Sequence, residues 1–413
     1  MKLSRRSFIG TAAATAVATR LDATSTPCWT VDGIQLPKWA VEAIRSGVAR
    51  YMAWRGDDET VAFPLITDIH SHAPGLKTDP VDWNDTKSHV LLQRAIAQAA
   101  DADFLANLGD MDFDVNILGA APEWKDVQPV IDGFVKVYEK ESKPVLFCLG
   151  NHDHARGRYT SRQFGDTFNR GITQKNGHKT VLSECGTWGY YDIPAKKFRA
   201  IFLNTSDEGY GGFSRGQLQF LADAFASAPA GWHAIVLQHI QTPGLMGHWR
   251  RFLGDAPLKR EGIFMQIVDD FAHRRGGLVQ GFHNPPITGE YDKIKWDFSG
   301  TKASFAGAFF GHTHLEAHME IDGVNWVTRP GYGTVPADCP AMGARDPKRE
   351  LAFKRTQDMM IDLVAIKPAK GLVHVFRFGC GGPASELEYT YCKNAVGVKS
   401  KPEGRGYQNR KGF

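Results

Sequence analysis

The chain has 413 residues, 42% hydrophobic and 23% charged, enough apolar material for one large core or two modest ones. A formal net charge of +4 and a mean hydropathy of −0.31 are those of an ordinary soluble globular protein. They give no electrostatic reason to expect binding to nucleic acid or to an anionic membrane.

The first residues, Ser4-Arg5-Arg6-Ser7-Phe8-Ile9, resemble a twin-arginine export signal, a cationic start followed by an Ala/Thr-rich stretch from Phe8 to Ala18. That stretch is shorter than the roughly 20 apolar residues that a membrane-spanning helix needs. A leader is therefore expected over 1–27, with the twin-arginine machinery as a partner and a periplasmic or secreted product. Cys28 follows Ser25-Thr26-Pro27, a poor lipoprotein cleavage context, so no stable membrane anchor is expected. Losing Lys2, Arg5, Arg6 and Arg20 against Asp22 brings the mature chain close to neutral.

Beyond the leader, Pro37–Trp54 has Trp39, Ile44, Val48 and Met52 at helical spacing. Strand Val61–Thr67 runs into Asp68-Ile69-His70; helix His89–Ala100 and strand Phe104–Asn107 lead to Gly109-Asp110. Helix Val127–Tyr138 precedes strand Val145–Leu149, which opens into Gly150-Asn151-His152-Asp153. Strand Phe198–Leu203, helix Arg215–Ala226 and strand Ala234–Leu237 lead to His239, and strand Ala306–Phe310 delivers Gly311-His312-Thr313-His314. Between them, helix Gly262–Arg274 and a Pro/Gly-punctuated piece from Gly281 to Gly300 read as an insertion, 240–305, bordering the site. Strands His318–Ile321, Asn325–Thr328, Met360–Ala365 and Val373–Phe378 close the series. The alternation predicts an α/β architecture. The expected organisation is an N-terminal helical extension over 28–60, one main domain over 61–380 and a tail over 381–413.

Six cysteines, at 28, 148, 185, 339, 380 and 392, contain no C-x-x-C pair, which argues against a thiolate zinc site. Cys148 reads as a buried core thiol; the others suit a disulfide or two in an oxidising compartment, with Cys380 and Cys392 nearest in sequence.

Short apolar strands repeatedly end in Asp, Asn and His, and ligands in α/β folds bind beyond the carboxyl ends of strands. Imidazole and hard oxygen ligands without thiolate suit Mn, Fe or Zn. Asp68 and His70, two apart, can face one way, as can His312 and His314. Asp110 is the candidate for a carboxylate shared by two ions.

This order of motifs, D-x-H, G-D, G-N-H-D, a lone His and G-H-x-H, resembles the calcineurin-like metallophosphoesterase family over residues 62–330. The resemblance implies a sandwich of two β-sheets flanked by helices, with the active site at the carboxyl ends of the strands. It implies two divalent metal ions, one held by Asp68, His70 and His314, the other by Asn151, His239 and His312, with Asp110 bridging. It further implies attack of a metal-bridging hydroxide on phosphorus, with His152 as general acid and Asp153 orienting it. The substrate class is then a phosphate ester, a small molecule or a lipid headgroup, and no nucleic acid is expected.

Several positions depart from the family pattern. The last Asp of G-D-x-x-D falls on Phe113, between Asp112 and Asp114, where purple acid phosphatases carry a tyrosine. Many cyclic-nucleotide-cleaving members carry paired histidines where this chain has Gln238-His239-Ile240. Ser206–Tyr210 resembles a linking segment of the cyclic-nucleotide phosphodiesterase branch, which favours a diester over a monoester. His72 and His154 read as supporting or solvent-facing groups, and His248, Trp249, His283 and Tyr210 as packing or rim residues. The competing reading is a catalytically silent metal-binding scaffold of the same fold.

Overall fold

Every strand of the main sheets has two faces to cover, and side-chain alternation decides which residue covers which. In Val61–Ile66 (β1), Val61, Phe63 and Leu65 join one apolar cluster, while Ala62 and Ile66 join another. A strand buried on both faces reads as a continuous apolar run, which is why β1 shows no polar residue. The structure is a computed structural model and describes residues 29–69, 87–111, 123–207, 211–242, 260–279, 293–313, 316–329, 360–379 and 381–391.

The remaining strands of the two large sheets are β2 (Leu105–Asn107), β3 (Val145–Phe147), β4 (Thr180–Leu182), β5 (Gly189–Ile193), β6 (Phe198–Phe202) and β7 (His233–Leu237). They continue with β8 (Ser304–Phe310), β9 (Ala317–Ile321), β10 (Val324–Thr328), β11 (Met360–Lys367), β12 (Leu372–Gly379) and β13 (Leu387–Thr390). One sheet has the order β13-β12-β11-β1-β2-β3 and the other β9-β10-β8-β7-β6-β5-β4. Within the first, β1, β2 and β3 are parallel; within the second, β6, β7, β8 and β10 are.

The sheets face each other across a shared core. Phe63, Phe104, Leu146 and Val364 of the first meet Phe198, Phe202, Ile235 and Phe309 of the second. Phe63 stacks on Phe104 at 4.5 Å and meets Phe309 edge-on at 6.0 Å. Helices α1 (Lys38–Arg55), α2 (Lys87–Ala100) and α3 (Trp124–Tyr138) cover the outer face of the first sheet. Helices α4 (Arg215–Ala226) and α5 (Glu261–His273) cover the second. The expected two-sheet sandwich flanked by helices is what the chain forms.

Three segments at or within the expected boundaries pack onto the sheets. In residues 38–55, Val41, Ile44 and Val48 are buried against the first sheet, and a Cβ on Gly47 would stand 2.4 Å from the Phe378 ring. Leu387–Thr390 pairs with Leu372–Val375 as an edge strand of the first sheet. Within 240–305, α5 is part of the outer layer, where Phe271 stacks on Phe225 at 4.1 Å. Residues 276–279 and 294–297 pair as an antiparallel ribbon beside it.

Candidate metal centre

Five strands deliver the polar residues. Asp68 follows β1, Asp110 follows β2, Asn151 follows β3, His239 follows β7 and His312 follows β8. Because β1–β3 run parallel, as do β6–β8, each set releases its chain on one side, and hydrogen bonds join the two sets. The Asp68 N–H donates to Gly109 O (2.9 Å), and the His312 N–H to Asp68 Oδ2 (2.8 Å). The His152 N–H donates to Asp110 Oδ1 (2.9 Å), and the Gly311 N–H to His239 O (2.9 Å).

The backbone pays a conformational cost for this arrangement. Asp68, Asp110 and His312 have φ of 51°, 52° and 68°, the left-handed region that non-glycine residues rarely occupy. Each such residue costs about 1–3 kcal/mol, and such residues cluster at functional sites. Two glycines make the close packing possible. A Cβ on Gly150 would lie 2.2 Å from Asp110 N and Oδ1; one on Gly311 would lie 1.9 Å from Thr67 Oγ1 and 2.6 Å from Asp68 Oδ2. Gly150 and Gly311 thus leave the space that a neighbouring motif's carboxylate occupies.

At the centre is His239, fully buried. Its Nδ1 lies 2.8 Å from the Leu108 carbonyl oxygen, which can only accept, so Nδ1 carries a proton. Nε2 then faces inward, 3.1 Å from Asp110 Oδ2, 3.1 Å from Asn151 Oδ1 and 3.3 Å from His312 Nδ1. Donor atoms of Asp110, His239 and His312 all lie within 4.8 Å of one another. Burial pushes the His239 imidazole down, but the carboxylate of Asp110, with Asp68 and Asp153 behind it, outweighs this and raises it to about 9. Two acceptor oxygens and two ring nitrogens around one point, beside buried carboxylates, form a pocket for positive charge. Imidazole, carboxylate and amide oxygen fit a divalent cation of the Mn, Fe or Zn type, and a histidine ligand that donates its other nitrogen to a carbonyl is the usual supporting arrangement.

His152 sits at the edge of this cluster, with its side chain 21% exposed and Nε2 3.9 Å from Asp110 Oδ2. Like His312, it is only partly buried, so solvent, and hence a substrate, can reach it. Asp153 is fully buried, and its Oδ2 accepts the backbone N–H groups of Asp110 (3.0 Å) and Gly150 (2.9 Å). His154 has its Nδ1 3.3 Å from Tyr159 O.

Asp68, Asp110, Asn151, His239 and His312 are therefore brought together, with His152 and Asp153 beside them. His70 and His314 lie outside the described residues, as do His72, Asp112, Asp114, Tyr210, His248, Trp249 and His283. Cys148 is a buried free thiol that burial pushes up, and Cys185 is also free; Cys28, Cys339, Cys380 and Cys392 lie outside the described residues. Residues 1–28, with the expected leader, lie outside them too.

Sequence reasoning missed three supporting groups. Thr67 Oγ1 donates to Asp68 Oδ2 (2.6 Å), and Asn107 Oδ1 accepts the Gly109 N–H (3.0 Å) while its amide donates to the Tyr138 hydroxyl (3.1 Å). A polar residue closing an apolar strand just before a motif was the available signal. The Leu108 carbonyl left none, since a main-chain acceptor has no residue-type signature.

No family model matches this chain, and no curated protein does. Among solved structures, a dimetal phosphatase from Danio rerio is similar at 12% identity, over 80% of this chain and 99% of that one, with a TM-score of 0.48. A protein from Streptococcus pneumoniae predicted to be a phosphoesterase is similar at 10% identity, over 80% and 98%, with a TM-score of 0.27. What this chain does is accordingly read from its own residues.

Proposed function

We propose that the protein is an exported, metal-dependent hydrolase of phosphate esters, with diesters favoured over monoesters. The observation that carries the reading is the inward-facing set of His239 Nε2, Asp110 Oδ2, Asn151 Oδ1 and His312 Nδ1, buried at the ends of strands from both sheets. These residues would hold one divalent cation; Asp110, with Asp68, His70 and His314, would hold a second. Such a pair supplies Lewis-acid charge at the phosphoryl oxygens and an acidified water at neutral pH.

The protein's own groups do the rest. Asp110 is fixed at both ends, its N–H by Asp153 and its Oδ1 by the His152 N–H. Asp153 thereby positions the bridging carboxylate and the loop that carries His152, besides its proposed orientation of the His152 ring. His152 is partly exposed and beside Asp110, placed to give a proton to the leaving oxygen. A small-molecule phosphate ester or a lipid headgroup is the substrate class we assign. Export rests on the Ser4–Ile9 motif. Among the described residues no helix is long and apolar enough to cross a membrane.

Hydrolysis of bis-p-nitrophenyl phosphate and p-nitrophenyl phosphate, with Mn²⁺, with Zn²⁺ and after chelation, tests the reading. Metal-dependent turnover with the diester preferred is expected. Metal binding with no turnover of either substrate would replace it with the silent-scaffold reading.

A further inference from the structure

We infer that Glu316 is a positioning residue for the metal centre, acting through a buried charge cluster that holds the far end of the His312 loop. The inference rests on the metal-binding reading above. The near end of that loop is fixed by Gly311 N–H to His239 O (2.9 Å), His312 N–H to Asp68 Oδ2 (2.8 Å) and Thr313 N–H to Gly311 O (2.8 Å). His312 has a φ of 68°, a conformation that surrounding structure must impose.

Four residues beyond His312, Glu316 Oε1 lies 2.7 Å from Arg377 Nη1, with Arg377 almost fully buried on β12. Arg377 Nε in turn donates to Asp362 Oδ1 (2.7 Å) on β11, and its Nη2 to Asp362 Oδ2 (3.2 Å). Arg329 Nε donates to Asp362 Oδ2 (2.6 Å), and its own N–H donates to Phe310 O (2.9 Å), the last residue of β8. The cluster therefore touches the His312 loop twice, at Phe310 before it and at Glu316 after it. Immediately after Glu316, Ala317 begins the pairing of β9 with Thr328, the residue before Arg329.

Charge explains why Glu316 belongs to this set. Two guanidinium groups surround the single carboxylate of Asp362, and Glu316 supplies the second negative charge. It is also the only member on the loop itself among the described residues, and its side chain is 35% exposed. Its removal loosens the loop and leaves the paired Asp362 core in place.

The test uses the full chain and Co²⁺ as the probe, titrated calorimetrically and followed by the visible spectrum of the bound ion. Glu316→Gln should weaken Co²⁺ binding about 10- to 100-fold, the usual effect of losing a residue that holds a ligand, and alter the spectrum. Asp192→Asn is the control, because it removes a comparable ion pair, with Arg199 at 2.7 Å, that touches neither the loop nor its charge cluster. It should keep wild-type Co²⁺ affinity. Unchanged affinity in Glu316→Gln, or an equal loss in both variants, overturns the inference. Should Glu316→Gln fail to fold, Glu316→Asp, which keeps the charge on a shorter stem, decides: weakened Co²⁺ binding supports the inference and wild-type affinity overturns it. A wild-type protein that binds no Co²⁺ would instead sink the metal-centre reading itself.

Discussion

His152 differs from the other histidines at the site in a way that matters chemically. His239 and His312 point their ring nitrogens at each other and at Asp110 and Asn151, whereas His152 meets Asp110 chiefly through its backbone N–H. In the proposed reading its ring, and not its backbone, acts on the substrate. His152→Ala should therefore retain bound metal, measured by elemental analysis, while kcat for an alkyl phosphate ester falls about 10²–10⁴-fold. A p-nitrophenyl ester, whose leaving group needs no proton, should lose far less. Loss of metal in that variant would make His152 a ligand and the assignment wrong.

Helix α2 shows how an outer element is fixed to the strands that carry the site. Gln93 donates to both Pro64 O (3.0 Å) and Ala106 O (2.8 Å), spanning β1 and β2, while Arg94 pairs with Glu141 (2.9 Å). On the same helix His89 is buried, and burial pushes its imidazole down to about 3. The unfolded chain, with an ordinary histidine, takes up this proton near pH 6.5 and the folded chain does not. The contribution of neutral His89 is thus complete above pH 6.5 and is lost as pH falls toward 3. At pH 5 the loss amounts to about 2 kcal/mol. Urea denaturation at pH 7 and pH 5 should show that much more acid sensitivity in the wild type than in His89→Gln. Equal sensitivity would remove His89 as the cause.

Across the molecule, the two sheets are joined by charge as well as by their apolar core. Arg329 follows β10 of the second sheet and binds Asp362 on β11 of the first; Arg377 holds the same carboxylate from β12. Burial pushes Asp362 up, but the two guanidinium groups outweigh it and hold it down at about 2. Its contribution is present at neutral pH and begins to disappear only as pH falls below the usual carboxylate value toward 2. Removing one member of a buried ion pair leaves the others uncompensated, which costs about 3–5 kcal/mol. Asp362→Asn should lower the urea midpoint accordingly; a change under about 1 kcal/mol, the scale of an exposed pair, would show that the cluster contributes little to cohesion.

Local signals in the sequence were enough for most elements. Apolar runs with two-residue or helical periodicity located α1 to α5 and the strands of both sheets that precede the motifs, usually within two or three residues. Five clusters of Asp, Asn and His, each just after such a run, marked the residues that converge. The strands β4, β5 and β13 were not legible, because they are short or polar and exist by pairing with a neighbour already in place. Nor could the sequence separate the domain from its flanks: whether residues 38–55 and 387–390 belong to it depends on the surfaces they meet. The tertiary structure alone decided that His239 donates to the Leu108 carbonyl, that Asp153 holds backbone amides, and that Glu316 reaches Arg377. Spacing along a chain records which residue types follow a strand. Which atoms then meet is set by how two sheets pack, and that distance is not written in either one.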